Sequence, residues 1–179
     1  MLYEGGIREP YIFRWPGVIR PGTVCDEPIN SVDLYPTLLE LAGAKPEAGY
    51  VLDGMSYVAL LRGTAIRLPR EAIYWHFPGY LGAGRDSWRT TPVGAIRQGD
   101  YKLLEFFEDG HLELYDLKHD VGEQHNLAAE KPELAKQLHA KLVGWRQSIA
   151  APMPKPRTGQ EPATKPDRRG KRNKRDRVE

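Results

Sequence analysis

Met1-Leu2-Tyr3-Glu4-Gly5-Gly6-Ile7-Arg8-Glu9-Pro10-Tyr11-Ile12-Phe13-Arg14-Trp15-Pro16-Gly17-Val18-Ile19 is the stretch on which the reading of this chain turns. Glu4 to Arg8 reads as a tight turn in which Gly5-Gly6 allow close backbone approach, and Tyr11 to Trp15 reads as a short buried strand. Pro16-Gly17 ends it, because proline lacks a donor and glycine accepts positive φ. The stretch opens in mid-turn with no lead-in, which predicts that residue 1 continues a preceding element.

Working outward, Val18 to Ile29 is a loop turning at Pro21-Gly22, and Asn30 or Ser31 is placed to cap a helix over Val32 to Ala42. Leu34, Leu38, Leu41 and Ala42 share one face of that helix, Pro36 falls in its first turn, and Gly43 is the C′ residue. Asp33 at its start suits the helix dipole and reads as structural. Asp53-Gly54-Met55-Ser56 is a turn into a short helix, Tyr57 to Leu61, ended by Gly63.

Ala72 to Phe77 is rich in aromatic and β-branched residues and reads as a strand. Val93 to Arg97, Tyr101 to Phe107 and His111 to Leu117 follow as a meander, with Gln98-Gly99-Asp100 and Glu108-Asp109-Gly110 as its turns. Lys131 to Ile149 carries Leu134, Leu138, Leu142, Trp145 and Ile149 at helical spacing, a stripe that should cover one face of the sheet, with His139 off it.

The chain has 179 residues, 40% hydrophobic and 28% charged, an ordinary composition for a soluble protein. Its net charge of +2 is uneven: from Lys165 onward eight Lys/Arg face three acids, a net +5, so the preceding residues carry −3. The basic run Arg168 to Arg175 lies in a stretch almost without apolar residues, and a solubilising disordered tail over 157–179 is expected rather than specific nucleic-acid binding. The single cysteine, Cys25, excludes an internal disulfide. There is no zinc-type spacing, no signal-peptide pattern and no 18-residue apolar run, so neither a membrane partner nor an export signal is expected.

Taken together, Tyr3-Glu4-Gly5-Gly6-Ile7-Arg8-Glu9-Pro10, Arg14-Trp15-Pro16-Gly17, Val32-Asp33-Leu34-Tyr35-Pro36-Thr37-Leu38-Leu39, Asp53-Gly54, Tyr74-Trp75-His76-Phe77-Pro78, Gly99-Asp100-Tyr101-Lys102-Leu103, Leu114-Tyr115-Asp116-Leu117 and Asn126-Leu127 resemble the C-terminal portion of type I sulfatases. Those are formylglycine-dependent sulfuric ester hydrolases of the alkaline-phosphatase-like fold, and the resemblance covers roughly residues 2 to 156. The chain resembles arylsulfatases and N-acetylgalactosamine-6-sulfatase-like carbohydrate sulfatases. That resemblance implies an α/β fold, α+β in this fragment. By the resemblance, residues 1–66 are expected to be the tail end of the catalytic α/β domain, an N-terminal strand and helix left over from it. Residues 67–156 are expected to form a C-terminal subdomain, a four-stranded antiparallel sheet packed by helix 131–149.

The resemblance implies calcium and formylglycine in the full-length family, with neither expected to be held by this chain. The family's formylglycine arises from Cys-x-Pro-x-Arg, whereas Cys25 is followed by Asp26-Glu27-Pro28 with no Arg two positions beyond the proline. The family's calcium-binding Asp-Asp and Asp-Asn pairs and its sulfate-binding lysine, in Lys-Gly-x-x-Tyr-Glu-Gly-Gly, would lie before Met1. No catalytic and no metal-ligating residue is therefore assigned, and the chain alone is expected to be inactive. Asp116, His119, Asp120, Glu123 and His125 tempt a metal reading, but in the family this stretch is a structural turn.

Candidate substrate contacts fall on the long loop Pro78 to Pro92 and the strand before it: His76, Tyr80, Arg85 and Arg89. The arginines suit planar recognition of sulfate or carboxylate, and His76 a sugar hydroxyl. The alternative is a satisfied half-buried histidine beside solvated arginines. Gly79 stands where related carbohydrate sulfatases often carry a second histidine. Lys102 and Arg97 read as scaffold. The expected partners are a sulfated carbohydrate or an aryl sulfate, with a separately encoded N-terminal sulfatase part as a further candidate. The competing class is a non-catalytic binding or partner module. Full-length relatives of this kind are typically exported.

Overall fold

The structure is a computed structural model, and it describes residues 1–84 and 87–155. Among the described residues four α-helices, a 3-10 turn (Ser31–Asp33) before the second of them, and six strands follow in chain order: α1 (Glu4–Ile7), α2 (Leu34–Leu41), α3 (Val58–Leu61), β1 (Ile73–Phe77), β2 (Leu81–Gly84), β3 (Ser87–Thr90), β4 (Val93–Gln98), β5 (Tyr101–Phe106), β6 (Leu112–Asp116) and α4 (Pro132–Ser148).

The centre is the expected four-stranded antiparallel sheet, in the order β1-β4-β5-β6. Its register pairs Trp75 with Ala95, Ile96 with Leu103 and Leu103 with Leu114. Gly99 takes φ 58° in the β4–β5 turn, which is why a glycine stands there. Because side chains alternate across a strand, the sheet has two apolar faces. On one, Ile96, Leu103 and Leu114 pack with Ala135, Leu138 and Leu142 of α4. Leu138 and Leu142 are fully enclosed, each worth about 1.5–3 kcal/mol of burial. On the other, Val93, Ala95, Leu104, Tyr115 and Leu117 pack with Leu2, Tyr3, Trp75, Phe77 and Phe106. The sheet is therefore held between its C-terminal helix and the turn at the start of the chain.

Helix α4 starts with Pro132, whose missing donor is harmless in a first turn. Ile149, expected on its apolar stripe, lies beyond the last helical residue and is exposed. Arg146 is buried instead, donating to Glu105 Oε2 at 2.5 Å and lying over the Phe107 ring. His139, expected off the packed face, is only one-third exposed and stands 3.1 Å from Glu105.

The N-terminal third departs further from expectation. Glu4-Gly5-Gly6-Ile7 forms one helical turn, with Gly6 N donating to Tyr3 O. Residues 11–15 form no strand: they pair with no other segment, and Ile12 is 92% exposed. A strand needs a neighbour to take its N–H and C=O groups, and none of the described residues supplies one. Helix α2 turns Pro36 and Thr37 inward and leaves Leu34, Leu38 and Leu41 exposed, so the face expected to be buried is the open one.

What holds α2 in place is Asp33. Its carboxylate accepts from the Asn30 N–H at 2.6 Å, the Met55 N–H at 2.9 Å and Arg70 Nη2 at 2.6 Å. It is fully buried and closes a capping box with Asn30, confirming its structural reading. Thr37 Oγ1 then donates to the Asp33 carbonyl and accepts from the Tyr57 N–H, joining α2 to α3.

Candidate functional site

The stretch from Pro78 to Pro92, expected to be a loop, contains a second sheet, the hairpin β2–β3, with Leu81 opposite Thr90 and Gly82 opposite Trp88. Tyr80 leads into β2, and Trp88 and Arg89 sit on β3, all three exposed. Arg85, the remaining candidate of the loop, lies outside the described residues.

Tyr80 is fixed from two sides. Its hydroxyl donates to Glu108 Oε1 at 2.7 Å, reaching the β5–β6 turn, and its ring lies 5.0 Å from the Trp88 ring at 49°. The bond to the Glu108 carboxylate raises the phenol above its ordinary pKa, so it stays protonated and remains a donor. The indole in turn lies against Gly82, where a Cβ would come within 3.3 Å of it.

His76 belongs to another surface. On β1 it alternates with Trp75 and Phe77, which put it with Tyr74 on the side of α4. Its Nε2 lies 2.8 Å from the Pro152 carbonyl, where the chain returns after α4, and its ring is 5.5 Å from that of Phe107. Nδ1 is buried without a partner. Among the described residues, His76 makes no hydrogen bond or ring contact with Tyr80, so the candidates do not form one cluster.

The acidic, histidine-bearing stretch 116–126 is organised by its own backbone. Asp120 accepts from the N–H groups of Gln124 and His125, and Asp116 from Lys118 N–H and His119 Nδ1. Asp120 is held below the usual carboxylate range by the His125 and Gln124 N–H groups, and Asp116 by its bond with His119. No group of three or more metal-type ligands gathers among the described residues. With these carboxylates already accepting from protein donors, the residues present do not fit a hard dication, which needs several oxygens facing one point. Cys25 is exposed on a loop.

The most enclosed polar cluster lies where the chain begins. Lys102, fully buried on β5, places Nζ 3.0 Å from Glu4 Oε1 and 2.8 Å from Glu123 Oε1. The second contact is an ion pair at an angle that makes no hydrogen bond. Glu123 Oε2 accepts the Glu4 N–H at 2.5 Å, and Arg8 Nη1 stands 3.4 Å from Glu4 Oε2. Beside it Tyr3 donates to Glu113 Oε2 at 2.6 Å, as Tyr115 does at 3.0 Å. Burial, together with the Glu113 carboxylate, pushes both phenols well above their ordinary pKa, so they act as donors at any physiological pH.

This cluster escaped the sequence reading, although one signal was present. Lys102 shares its strand face with Leu104, and a lysine on an apolar face demands a carboxylate from elsewhere. Nothing in the spacing told that it would come from Glu4, 98 residues away. Glu123 holds φ 53°, uncommon for a side chain of its size, and so turns its carboxylate into the interior.

The sequence model of the family described as N-sulphoglucosamine sulphohydrolase, C-terminal, matches residues 1–148. A sulfatase of Formosa agariphila is 40% identical over 164 residues, covering 84% of this chain and 29% of that protein. Human arylsulfatase A is 37% identical over 162 residues, covering 76% of this chain and 30% of its own length. Among solved structures, BT4656 in complex with its substrate D-glucosamine-2-N,6-O-disulfate superposes with a TM-score of 0.60 at 26% identity, over 76% of this chain and 28% of that one. This chain thus spans under a third of the length of these relatives. The docked Tyr3-Glu4-Gly5-Gly6 turn, the sheet and helix beneath it, and these likenesses agree: the chain belongs to the C-terminal family of the sulfatases of the alkaline-phosphatase-like fold.

Proposed function

We propose that this chain is the C-terminal part of a sulfuric ester hydrolase that acts on a sulfated carbohydrate or aryl sulfate, and that it is inactive by itself. The observation that carries the reading is the ion cluster of Glu4, Lys102 and Glu123, which fixes the family's Tyr-Glu-Gly-Gly turn against the sheet. That turn is where the resemblance enters the catalytic part, so residues 1–66 belong with the catalytic α/β domain and 67–156 form the subdomain on its leaving-group side. The complex of BT4656 with a sulfated glucosamine supports a sulfated sugar as the substrate class.

In this reading the nucleophile and calcium ligands are supplied by other residues than those present here. Neither the context of Cys25 nor the carboxylates of 116–126 fit those roles. Tyr80, Arg85 and Arg89 are the residues this part offers to the substrate. His76 would contribute only with the Pro152 carbonyl displaced from it. The complementary α/β part, on the same polypeptide or separately encoded, is the expected partner.

The test is hydrolysis of an aryl sulfate and of D-glucosamine-2-N,6-O-disulfate by the purified chain with calcium. No turnover is expected from the chain alone, and turnover is expected once it is joined to a complementary sulfatase α/β part. Turnover by the chain alone that survives Cys25→Ala would overturn the reading. Sugar binding by the chain with no hydrolysis in the joined protein would favour the second class, a non-catalytic binding module. The exposed Tyr80 and Trp88 pair is the feature that speaks for that class.

A further inference from the structure

Tyr80 and Trp88 are 48% and 60% exposed, yet neither is loosely held. The indole is seated on Gly82, with a gap that leaves no room for a Cβ to enter freely. The phenol is tied through Glu108 to the main sheet. Two rings meeting at 49° with centroids 5.0 Å apart touch one another, so together they present one exposed, angled apolar surface with a carboxylate at its edge. A protein partner would need roughly 1,000 Å² of complementary surface, far more than two rings on a hairpin supply. A surface of this size suits one small ring laid upon it that has an apolar C–H face and hydroxyl donors along its rim.

We propose that Tyr80 and Trp88 form a stacking subsite for one pyranose ring, with Glu108 orienting Tyr80 and accepting from a sugar hydroxyl. The inference rests on the carbohydrate reading above and adds to it that the sugar ring itself, rather than its sulfate, is what this hairpin recognises. Trp88 is the main contact, because its outer face is the larger and more open. Tyr80 extends that surface toward Glu108.

The experiment titrates the full chain with D-glucosamine-2-N,6-O-disulfate, with unsulfated D-glucosamine and with inorganic sulfate. It follows saturation transfer to the ring protons and tryptophan fluorescence. Both sugars are expected to bind with transfer to the C–H face, and Trp88→Ala to weaken both by about tenfold, the scale of one aromatic contact. Tyr80→Phe keeps the ring but loses the Glu108 bond, and should weaken binding by a few-fold. Far-UV circular dichroism and the unfolding midpoint check that each variant is folded, which the exposure of both side chains favours.

Equal affinity for Trp88→Ala and the parent chain, no sugar binding at all, or binding of inorganic sulfate as tight as that of the sugars would each overturn the proposal. None of these touches the sulfatase assignment, which is read by hydrolysis in the joined protein. Conversely, a joined protein that hydrolyses nothing while Trp88 still binds sugar would sink that assignment and leave the subsite standing.

Discussion

Lys102 Nζ lies 3.0 Å from Glu4 Oε1, so a lysine in the middle of the central sheet is neutralised by a carboxylate at the very start of the chain. Removing the lysine charge leaves Glu4 and Glu123 buried together without a cation between them. Lys102→Met is expected to destabilise the chain by about 3–5 kcal/mol, the usual cost of breaking a buried pair from one side. The double variant Lys102→Met with Glu4→Gln should recover part of that loss. Urea unfolding of the two variants beside the parent measures both. Equal stability of the single variant and the parent would mean that the cluster is not closed in solution.

Glu105 gives the chain a pH dependence. Burial alone would raise its pKa, but the hydrogen bond from Arg146 and the close approach of His139 outweigh burial and hold it below the ordinary carboxylate range. A depressed carboxylate contributes stability that is present above its unfolded-state pKa, about 4.3, and is lost as pH falls through the lower folded value. The stability gap between the parent and Glu105→Gln should therefore be full at pH 7 and shrink below about pH 4. Thermal melts across that range read it directly. A gap that widens on acidification would contradict the assignment.

The contrast between these two clusters shows what the sequence could reveal. Strand β5 and helix α4 were legible because Tyr101 and Leu103 recur at period 2, and Leu138 and Leu142 at helical spacing, on a face that is in fact buried. The hairpin β2–β3 was missed because Gly82 and Gly84 supply no alternating apolar pattern, and glycines in this number argue for a loop. The face of α2 was misread for a different reason. Period alone finds the apolar side of a helix but not whether anything covers it, and here Asp33 and Thr37 pull the other side inward. Of the candidate site, Tyr80 and Arg89 were proposed from residue type and loop position, and the structure leaves both exposed. The commitment of His76 to Pro152 depends on where the chain returns after α4, which no local pattern carries.

Gly54 is required by space. A Cβ there would stand 2.1 Å from the Val32 carbonyl oxygen and 2.7 Å from the Asp33 N, both backbone atoms that cannot swing aside. Gly54→Ala is expected to cost about 1–3 kcal/mol through overpacking, and to loosen the Asp33 bond to the Met55 N–H. Gly5→Ala is its control, since nothing lies within 4 Å of a Cβ at that position. A shift in melting temperature for Gly54→Ala alone is the outcome that supports the close approach.

The open apolar surface of the first third should govern how the chain behaves in solution. Tyr11, Ile12 and Phe13 sit in a segment that pairs with no strand among the described residues, and Leu34, Tyr35, Leu38 and Leu41 stand out from α2. Together they make the helix apolar on two sides and leave a backbone edge unpaired, a combination that suits a position against further sheet rather than water. In the chain by itself, amides at residues 10–16 are therefore expected to exchange at rates close to those of an unfolded peptide, while those of β4, β5 and α4 are strongly protected. Light scattering should show concentration-dependent association that Ile12→Lys with Leu38→Glu reduces, without lowering the unfolding midpoint, because both side chains are exposed. Joining the chain to a complementary α/β part should protect residues 10–16. Strong protection there in the monomer by itself would instead mean that the segment finds a partner within this chain.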